Sequence, residues 1–473
     1  MSLGTFLELR QELLLIAAAL LVLIAEIFSD TDKKRNTSRL SVILLGIVTI
    51  AGFFPVPSGE LFGGMYITSG VRVLMKNILN IGALLVFIQS VTWVKKEEHN
   101  DKASEYFLLL ISTLVGMDFM ISAGHFIMFY IGLELATIPV AALAAFDRYT
   151  NKSAEAGIKL ILSSSLSSAI LLYGLSMIYG TTGSLYFSAI APLVSGSNIQ
   201  ILGFIFFFSG MAFKISIVPF HLWTADVYEG APVSITSYLS VISKGAAVFT
   251  LIIILFTVFP VIIGTWQKTI YITSILTMTI GNLFAIRQQN LKRFLAFSSI
   301  SQAGYILLGF MGGNQLGMAT VIYYVLIYIF SNLGAFGVVT AISNATGKEN
   351  MDDYNGLYHT NPKLSLVMML SLFSLAGIPP VAGFFGKFFL FAAAAQQGFY
   401  LLVIIAVLNT IIALYYYLLV MKAMFINKSE TPIEYFKSDF STRIALGICV
   451  AGVVVTGFAS VIFEMIRDLS FGI

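Results

Sequence analysis

Apolar runs long enough to cross a lipid bilayer follow one another along almost the whole of this 473-residue chain. The hydrocarbon layer of a bilayer is ~30 Å thick, which an α-helix crosses with about 20 residues. Backbone amides exposed to lipid would find no water, and these runs are about twice as long as barrel strands, so helices are the expected spanning structure. The sequence therefore predicts an all-α polytopic membrane protein with about 14 transmembrane helices.

The composition supports a membrane protein and limits the chemistry of this chain. Hydrophobic residues make up 58% and charged residues only 11%, whereas soluble domains carry roughly 25% charge. The net charge of +3 is too even to favour nucleic acid as a partner. One Cys, four His and the lack of CxxC or GxGxxG motifs exclude an iron–sulfur site and a dinucleotide fold. We expect no cofactor or metal on this chain, and partners that are other membrane subunits.

The basic residues are distributed unevenly over the predicted loops. Of the 27 Lys and Arg, seventeen fall in odd-numbered loops, and five fall in the even loops, the tails or the adjoining helix ends. Basic loops remain in the cytoplasm, and an even number of spans puts both termini on one side. We therefore expect a bacterial inner-membrane protein with both termini on the outer side. The run from Leu13 to Phe28 lacks a cleavage site and is predicted to be the first membrane helix.

The other five basic residues lie inside predicted spans. Lys422 is near a helix end, where its amine can reach the headgroups, and Lys159 is one or two turns inside. Lys214, Lys244 and Lys387 are too far from a polar loop for that; Lys244 is about 11 residues, or ~16 Å, into its span. A charge at this depth costs about 3 kcal/mol on insertion scales, so it needs a partner, a hydrated cavity or a function. Charge pairs that only hold helices together are the alternative.

One acidic residue, Glu134, lies about ten residues into the fifth span and is placed to be a partner of these lysines. A Glu and a Lys in a low dielectric stabilise each other's charged forms, so moving a proton changes their interaction strongly. A buried amine can both accept and release a proton because desolvation disfavours its charged form. Asp118 and Glu26 are nearer to span ends, and we expect them at the membrane interface.

Prolines interrupt two spans close to the buried lysines. Pro219 follows Lys214 by five residues, and Pro379 and Pro380 precede Lys387. Matching interruptions in the two halves of a membrane protein indicate an ion path and an internal repeat. The expected organisation is three N-terminal helices at 1–104, repeats at 105–260 and 261–427, and a cytoplasmic loop with the last helix at 428–473.

His221 borders the segment HLWTADVYEGAP, which has acidic but no basic residues. It is either a site of proton uptake from the cytoplasm or a histidine satisfied at the interface. Ser and Thr are frequent in the sixth, eighth and tenth spans, where they can hold a water wire or allow close helix packing.

Several long segments resemble a known family. They are IGLELATIPVAALAAFDR, MAFKISIVPFHLWTADVYEGAP, NLKRFLAFSSISQAGYILLG and SLAGIPPVAGFFGKFFLF. They are similar to the antiporter-like membrane subunits of proton-pumping NADH:quinone oxidoreductase (complex I). The chain length and Lys at 387 favour the N-type branch. Multisubunit cation/proton (Na⁺/H⁺) antiporters share much of the pattern and are the alternative.

The resemblance implies two inverted five-helix repeats, each with a broken helix. It also implies that Glu134 and Lys214 form a coupled pair, that Lys244 is the central relay, that Lys387 is linked to the exit side and that Lys159 is an accessory. NADH, FMN, iron–sulfur clusters and quinone would belong to partner subunits. Gln302 departs from the family, which often has His at this position, so a titratable bridge is not expected there.

Overall fold

The computed structural model describes residues 7–28, 37–96, 99–313 and 315–470. Over these residues the chain is a bundle of α-helices, as predicted. One pair of short antiparallel strands, β1 (Gly59–Leu61) and β2 (Tyr66–Thr68), is an exception that the sequence did not indicate. This hairpin lies against the start of the first helix, through a hydrogen bond from the Tyr66 hydroxyl to the Glu8 carbonyl. The side of the bundle where the first helix begins is called the N-terminal face below.

The chain crosses the bundle repeatedly, and most crossings are made by one helix. The helices of the first half are α1 (Arg10–Ile27), α2 (Thr37–Ala51), α3 (Gly70–Val94), α4 (Ala103–Ser122), α5 (Phe126–Leu135), α6 (Ile138–Ala144), α7 (Asn151–Thr182), α8 (Phe187–Ile190), α9 (Asn198–Ile215), α10 (Leu222–Gly230), α11 (Val233–Tyr238) and α12 (Lys244–Thr257). The helices of the second half are α13 (Ile263–Ala285), α14 (Leu291–Met311), α15 (Gln315–Thr346), α16 (Leu357–Thr360), α17 (Pro362–Ala376), α18 (Ala382–Gln396), α19 (Tyr400–Phe425), α20 (Phe440–Phe458) and α21 (Ser460–Leu469).

Each of the fourteen predicted spans coincides with a helix or a pair of helices. In the described part of the chain, ten helices or continuous pairs are long and apolar enough to cross a membrane, and α2, α17 and α18 are shorter but apolar. The last predicted span, 443–466, does not correspond to one continuous helix. The spanning helix α20 ends at Phe458, and the charged residues Glu464, Arg467 and Asp468 lie on the separate amphipathic helix α21.

The two predicted helix interruptions are present and have the same geometry. The residue that follows α9 is Ser216 with φ 66°, and the residue that follows α17 is Gly377 with φ 85°. Both residues therefore adopt the left-handed conformation that commonly terminates a helix. At each break the amide of the next residue, an isoleucine, closes a wide turn back onto the helix.

The hydrogen bonds of these turns correspond closely. Ile217 N bonds to the Ala212 carbonyl at 2.8 Å, and Ile378 N bonds to the Phe373 carbonyl at 3.0 Å. This is the pattern of a Schellman motif, and a proline follows the left-handed residue by three positions in each case. The two breaks therefore share the same backbone geometry, one in each half of the chain.

The centre of the bundle consists of α14, α15 and the α11–α12 pair, which are almost entirely buried. Helices α7, α19 and α20 expose large apolar side chains such as Leu162, Ile411 and Val455, as lipid-facing helices do. Between α11 and α12 the chain makes one π-helical turn, Leu239–Ser243, which ends directly before Lys244. Such turns are rare and occur often at functional sites.

Side-chain caps fix the ends of two crossings. The Asn290 side chain accepts hydrogen bonds from the amides of Lys292 and Arg293 at the start of α14. The Asp439 carboxylate accepts hydrogen bonds from the Thr442 amide and hydroxyl at the start of α20. Burial alone would raise the pKa of Asp439, but the hydrogen bonds from Thr442 outweigh this effect and lower the pKa from its usual value.

Candidate functional site

Lys214 lies beside an interruption in the fifth crossing, where α5 ends at Leu135 and α6 begins at Ile138. Its amine donates hydrogen bonds to the Thr137 hydroxyl at 2.5 Å and to the Ala136 carbonyl at 3.3 Å. Pro139 stands in the first turn of α6 and has no amide hydrogen to continue the helix. The break therefore supplies the oxygens that hold the buried amine.

Glu134 is one turn away from this contact, in the last turn of α5, and is half-buried. It lies two and three residues before the Ala136 and Thr137 oxygens that hold the Lys214 amine. The two residues do not form a direct ion pair within 4.0 Å, and Glu134 Oε1 is buried without a hydrogen-bond partner in the described part of the chain. The structure thus brings the expected pair together but leaves Lys214 on neutral oxygens.

Lys244 is buried at the centre of the bundle. Its amine donates to the Ser299 hydroxyl on α14 at 2.8 Å and lies 5.4 Å from the centre of the Tyr228 ring. No described acidic side chain lies within ion-pair distance of it. A cavity of about 10 Å³ adjoins the amine, with Ile215 and Tyr328 also in its wall. This volume corresponds to about one water molecule.

Lys387 occupies the equivalent setting at the second helix break. Its amine donates to the last carbonyls of α17, those of Leu375 at 2.9 Å and Ala376 at 3.1 Å. The ring centre of Tyr305 lies 4.4 Å from the amine. Like Lys214, this lysine is therefore held by backbone oxygens that a terminating helix leaves free.

A chain of hydrogen bonds along α14 runs from the Leu375 carbonyl, which also holds Lys387, to Ser298. Gln302 donates to the Leu375 carbonyl at 3.0 Å and to the Tyr417 hydroxyl at 3.2 Å. Tyr417 in turn is 2.5 Å from the Ser298 hydroxyl, next to the Ser299 that binds Lys244. The Tyr324 hydroxyl donates to Gln302 Oε1 at 2.5 Å. From Gln302 the hydrogen bonds thus run through hydroxyls as far as Ser298, the sequence neighbour of the serine that binds Lys244.

His221 lies where a surface cavity of about 930 Å³ reaches the bundle interior. Asp226, Arg287 and Arg293 line the same cavity. The His221 side chain is 8% exposed, and its Nδ1 has no hydrogen-bond partner among the described residues. The histidine therefore lies in the wall of this cavity.

Lys159, which the sequence places one or two turns inside its span, lies apart from the buried lysines. Its side chain is 41% exposed and forms ion pairs with Glu155 and Asp226, each at 2.7 Å. Asp226 is shared with Arg293, which also pairs with Glu229. Lys159 is thus part of a network at the rim of the His221 cavity. Lys422 is exposed at the end of α19, in agreement with the snorkelling prediction.

The sequence analysis missed a second group of buried charges near the N-terminal face. Glu12, Lys76 and Arg72 are buried, and Asp118, which we expected at the interface, is only 1% exposed. Helices α1, α3 and α4 place these residues at similar depth from the same face. This common depth could have indicated from the sequence that the four charged residues lie together. Each residue lies close to a helix end, and this position suggested contact with the headgroups.

In the described part of the chain no three His, Cys, Asp or Glu side chains come together to hold a metal ion. The polar groups described above can bind and pass protons, since amines, hydroxyls, an imidazole and a carboxylate are the groups that do so in proteins.

Comparisons with known proteins agree with this geometry. Residues 123–413 match the family model described as "NADH:quinone oxidoreductase/Mrp antiporter, TM". Over 469 residues the chain is 52% identical to NADH-quinone oxidoreductase subunit N of Phocaeicola vulgatus, with 99% of each chain covered. It is 50% identical to the subunit of the same name from Azobacteroides pseudotrichonymphae, with 100% of this chain and 99% of the relative covered.

Two solved structures have the same fold. A chain of respiratory complex I from Thermus thermophilus is 25% identical with a TM-score of 0.80, covering 96% of this chain and 98% of that one. A chain of the Mrp complex from Dietzia sp. is 21% identical with a TM-score of 0.88, covering 99% and 97%.

Proposed function

Because this chain belongs to the NADH:quinone oxidoreductase/Mrp antiporter family of membrane subunits, we propose that it is the N-type subunit of a proton-translocating NADH:quinone oxidoreductase. Quinone reduction in partner subunits drives the transport. NADH, FMN, the iron–sulfur clusters and quinone bind to those partners, and this chain carries out no redox step. Its own residues bind, hold and move protons.

One observation carries this proposal. Lys214, Lys244 and Lys387 are all buried, and their amines rest on neutral oxygens, with no described carboxylate within ion-pair distance. Burial of a charge is costly unless it is paired, so each amine is poised between its charged and neutral forms. Amines held only as structural charges would be expected to have carboxylate partners.

Protons enter this row from the His221 cavity. The ion pairs of Asp226 with Lys159 and Arg293 lie at the rim of the cavity, so Lys159 acts as an accessory that sets the charge at the opening. His221 passes the proton to Lys244, and the hydroxyls of Ser298 and Tyr417 with Gln302 orient the connection to Lys387.

The pair Glu134 and Lys214 is the switch that couples the row to the partners. When the Glu134 charge acts on Lys214, the ammonium form is favoured. A change in the partner subunit that moves or neutralises Glu134 removes this support, and the proton of Lys214 moves towards Lys244. A shift of this kind needs only a small movement, because the two residues are near each other without direct contact.

The orientation follows from the basic loops. We propose that the face opposite the N-terminal face lies in the cytoplasm of a bacterial inner membrane, with both termini outside. The His221 cavity, between α10 and the start of α14, then opens to the cytoplasm, from which protons are taken up.

Replacement of Glu134 by Gln or of Lys214 by Met in the assembled enzyme tests the function. Both variants should pump fewer protons per NADH oxidised, measured as acidification of inverted membrane vesicles, while NADH oxidation by an artificial electron acceptor is unchanged. Lys422→Met is the matched control, because this lysine is exposed at a helix end. Unchanged pumping in both variants would refute the proposal.

The alternative, a cation/proton antiporter subunit, is also covered by the matching family model. Copurification decides between the two. The proposed N-type subunit should be recovered from the membrane with subunits that oxidise NADH and reduce quinone. An antiporter subunit would be recovered without them, in a complex that exchanges Na⁺ for protons.

A further inference from the structure

A second cluster of buried titratable groups lies outside the range that matches the family, between α1, α3, α4 and the β1–β2 hairpin. The Lys76 amine contacts Glu12 Oε1 directly, in an ion pair with both side chains buried. The Tyr66 hydroxyl shares its single proton between Glu12 Oε1 and the Glu8 carbonyl, each at 3.0 Å, and accepts from Lys76 at 3.2 Å. Glu12 therefore has an ammonium group and a hydroxyl as direct partners.

Asp118 is the member of this cluster without such support. It is 1% exposed, and neither of its carboxyl oxygens has a hydrogen-bond partner in the described part of the chain. It feels the charges of Lys76 and Glu12, but it makes no ion pair within 4.0 Å. The single ammonium group is already held by Glu12, so two carboxylates share one nearby cation. Like charges that share a buried site cannot both remain ionised without cost.

The other charged groups around the site do not change this balance. Arg72 is buried on α3, but its guanidinium donates to the carbonyls of Ile121 and Ala123 and faces Glu60. Glu8 accepts the Tyr66 hydroxyl with its backbone carbonyl. Tyr238 faces Asp118 from α11 and is a neutral hydroxyl.

Tyr238 contacts the helix of Asp118 and lies next to the turn that precedes Lys244. Its hydroxyl is 2.6 Å from the Thr113 hydroxyl and 4.0 Å from the Met117 sulfur, on the same helix as Asp118. Tyr238 directly precedes the π-helical turn that ends at Lys244. A rearrangement of that turn would move Tyr238 relative to Asp118.

From this geometry we infer that Asp118 is a proton-binding carboxyl group, which holds a proton at rest and releases it towards the N-terminal face. At rest the cluster contains a neutral Asp118 carboxylic acid, a Lys76 ammonium and a Glu12 carboxylate. Loss of the proton leaves a second carboxylate, so the net charge of these three groups changes from zero to −1. Lys76 stabilises the new charge by moving towards Asp118, and rebinding of a proton reverses the step. The transport role of this release rests on the proposed function.

The protonation of Asp118 is tested first in the resting complex, without turnover. Dicyclohexylcarbodiimide reacts with protonated buried carboxyl groups, and mass spectrometry of this chain should locate the adduct on Asp118 and not on Glu12. The infrared carbonyl band of a protonated carboxyl group should be present in the natural complex and absent in Asp118→Asn. Labelling of Glu12 in place of Asp118 would overturn the inference. So would the absence of both the adduct and the band.

Transport is tested with Asp118→Asn and Asp118→Glu in membrane vesicles. Asn has the shape of Asp but carries no exchangeable acid proton, so it should lower the number of protons pumped per NADH. Glu should retain most of the pumping. A purely structural role would favour the isosteric Asn over the larger Glu, and that order would overturn the inference. If Asp118→Asn does not assemble, the labelling and infrared results on the natural complex decide. A negative result for Asp118 would not refute the proposed role of the buried lysines, because that role is tested separately with the Lys214 and Glu134 variants.

Discussion

At the scale of single residues, the three buried lysines are bound in the same way, by neutral oxygens. Lys214 and Lys387 both donate to oxygens at a helix break, and Lys244 donates to a serine hydroxyl beside a small cavity. Neutral oxygens bind an ammonium group but stabilise it less than a carboxylate does. The residues between the lysines then determine whether a proton can pass, and they can be tested individually.

Tyr417→Phe removes the hydroxyl that joins Ser298 to Gln302. We expect lower proton pumping per NADH, because the hydroxyl between Ser298 and Gln302, in the region between Lys244 and Lys387, is lost. The loss of stability should be small, about 1 kcal/mol, as is typical for one hydrogen bond. Tyr415→Phe is the matched control, since Tyr415 on the same helix is 55% exposed towards lipid. Equal pumping by the two variants would argue against this connection.

Thr137→Val replaces the hydroxyl acceptor of Lys214 by a methyl group of similar size. The amine keeps the more distant Ala136 carbonyl, so its charged form loses support and depends more on Glu134. Pumping should fall, and Glu134→Gln in the same chain should lower it by more than the sum of the single effects. Vesicle acidification in a double-mutant cycle measures this coupling. If the effects of the two substitutions on pumping were strictly additive, Thr137 and Glu134 would not act together on Lys214.

At the scale of helices, most features were predictable from the sequence, and the exceptions have physical reasons. Apolar runs and prolines located the spans and both breaks. The end of α20 at Phe458 was missed because the amphipathic helix α21 continues the apolar composition on one side only. The burial of Asp118 was missed because position along a span does not reveal which side of a helix faces the bundle.

Gly377→Ala tests the second break. Gly377 has φ 85°, a conformation that costs an alanine about 1–2 kcal/mol. The added Cβ would also lie 3.0 Å from Lys387 Cδ, so the lysine must shift. Lower thermal stability and lower pumping are both expected. Gly447→Ala, where no atom lies within 4 Å of the new Cβ, should leave pumping unchanged and slightly stabilise α20. Similar losses in both variants would contradict a special role for the break.

Asp439→Ala tests the cap of α20. At neutral pH the loss should be about 1 kcal/mol, typical of a helix N-cap. The pKa of Asp439 is lowered in the folded state, so its contribution is present above the usual pKa of Asp and is lost as the pH falls through the lowered value. Thermal unfolding of the natural and variant enzymes at decreasing pH should therefore show a shrinking difference. A constant difference across the pH range would exclude the charged cap.

At the scale of the whole molecule, the proposed orientation places the His221 cavity on the side from which protons are taken up. The native Cys449 is buried, so cysteines introduced on the surface can be labelled selectively. Lys428→Cys should react with a membrane-impermeant maleimide only from the cytoplasmic side. Ser195→Cys, on the N-terminal face, should react only from the outside. The reverse pattern would invert the proposed direction of transport.

The composition and the apolar runs were sufficient to predict a polytopic helical membrane protein, and the resemblance of several long segments supplied the family. The contacts that hold the row were not predictable, because they depend on where neighbouring helices end. The amine of Lys387, for example, binds carbonyls eleven and twelve residues earlier in the chain, across the break. Lys159 was placed only one or two turns inside its span, but its ion pair with Asp226 on α10 could not be predicted from the sequence.

Lys244→Met in the assembled, reconstituted enzyme is the most direct test of the central claim. Methionine fills a similar volume but binds no proton, so the relay at the centre of the bundle is removed while packing is largely kept. The account predicts that NADH oxidation by an artificial acceptor is retained and that fewer protons are pumped for each NADH oxidised with quinone. An unchanged number of pumped protons would contradict it.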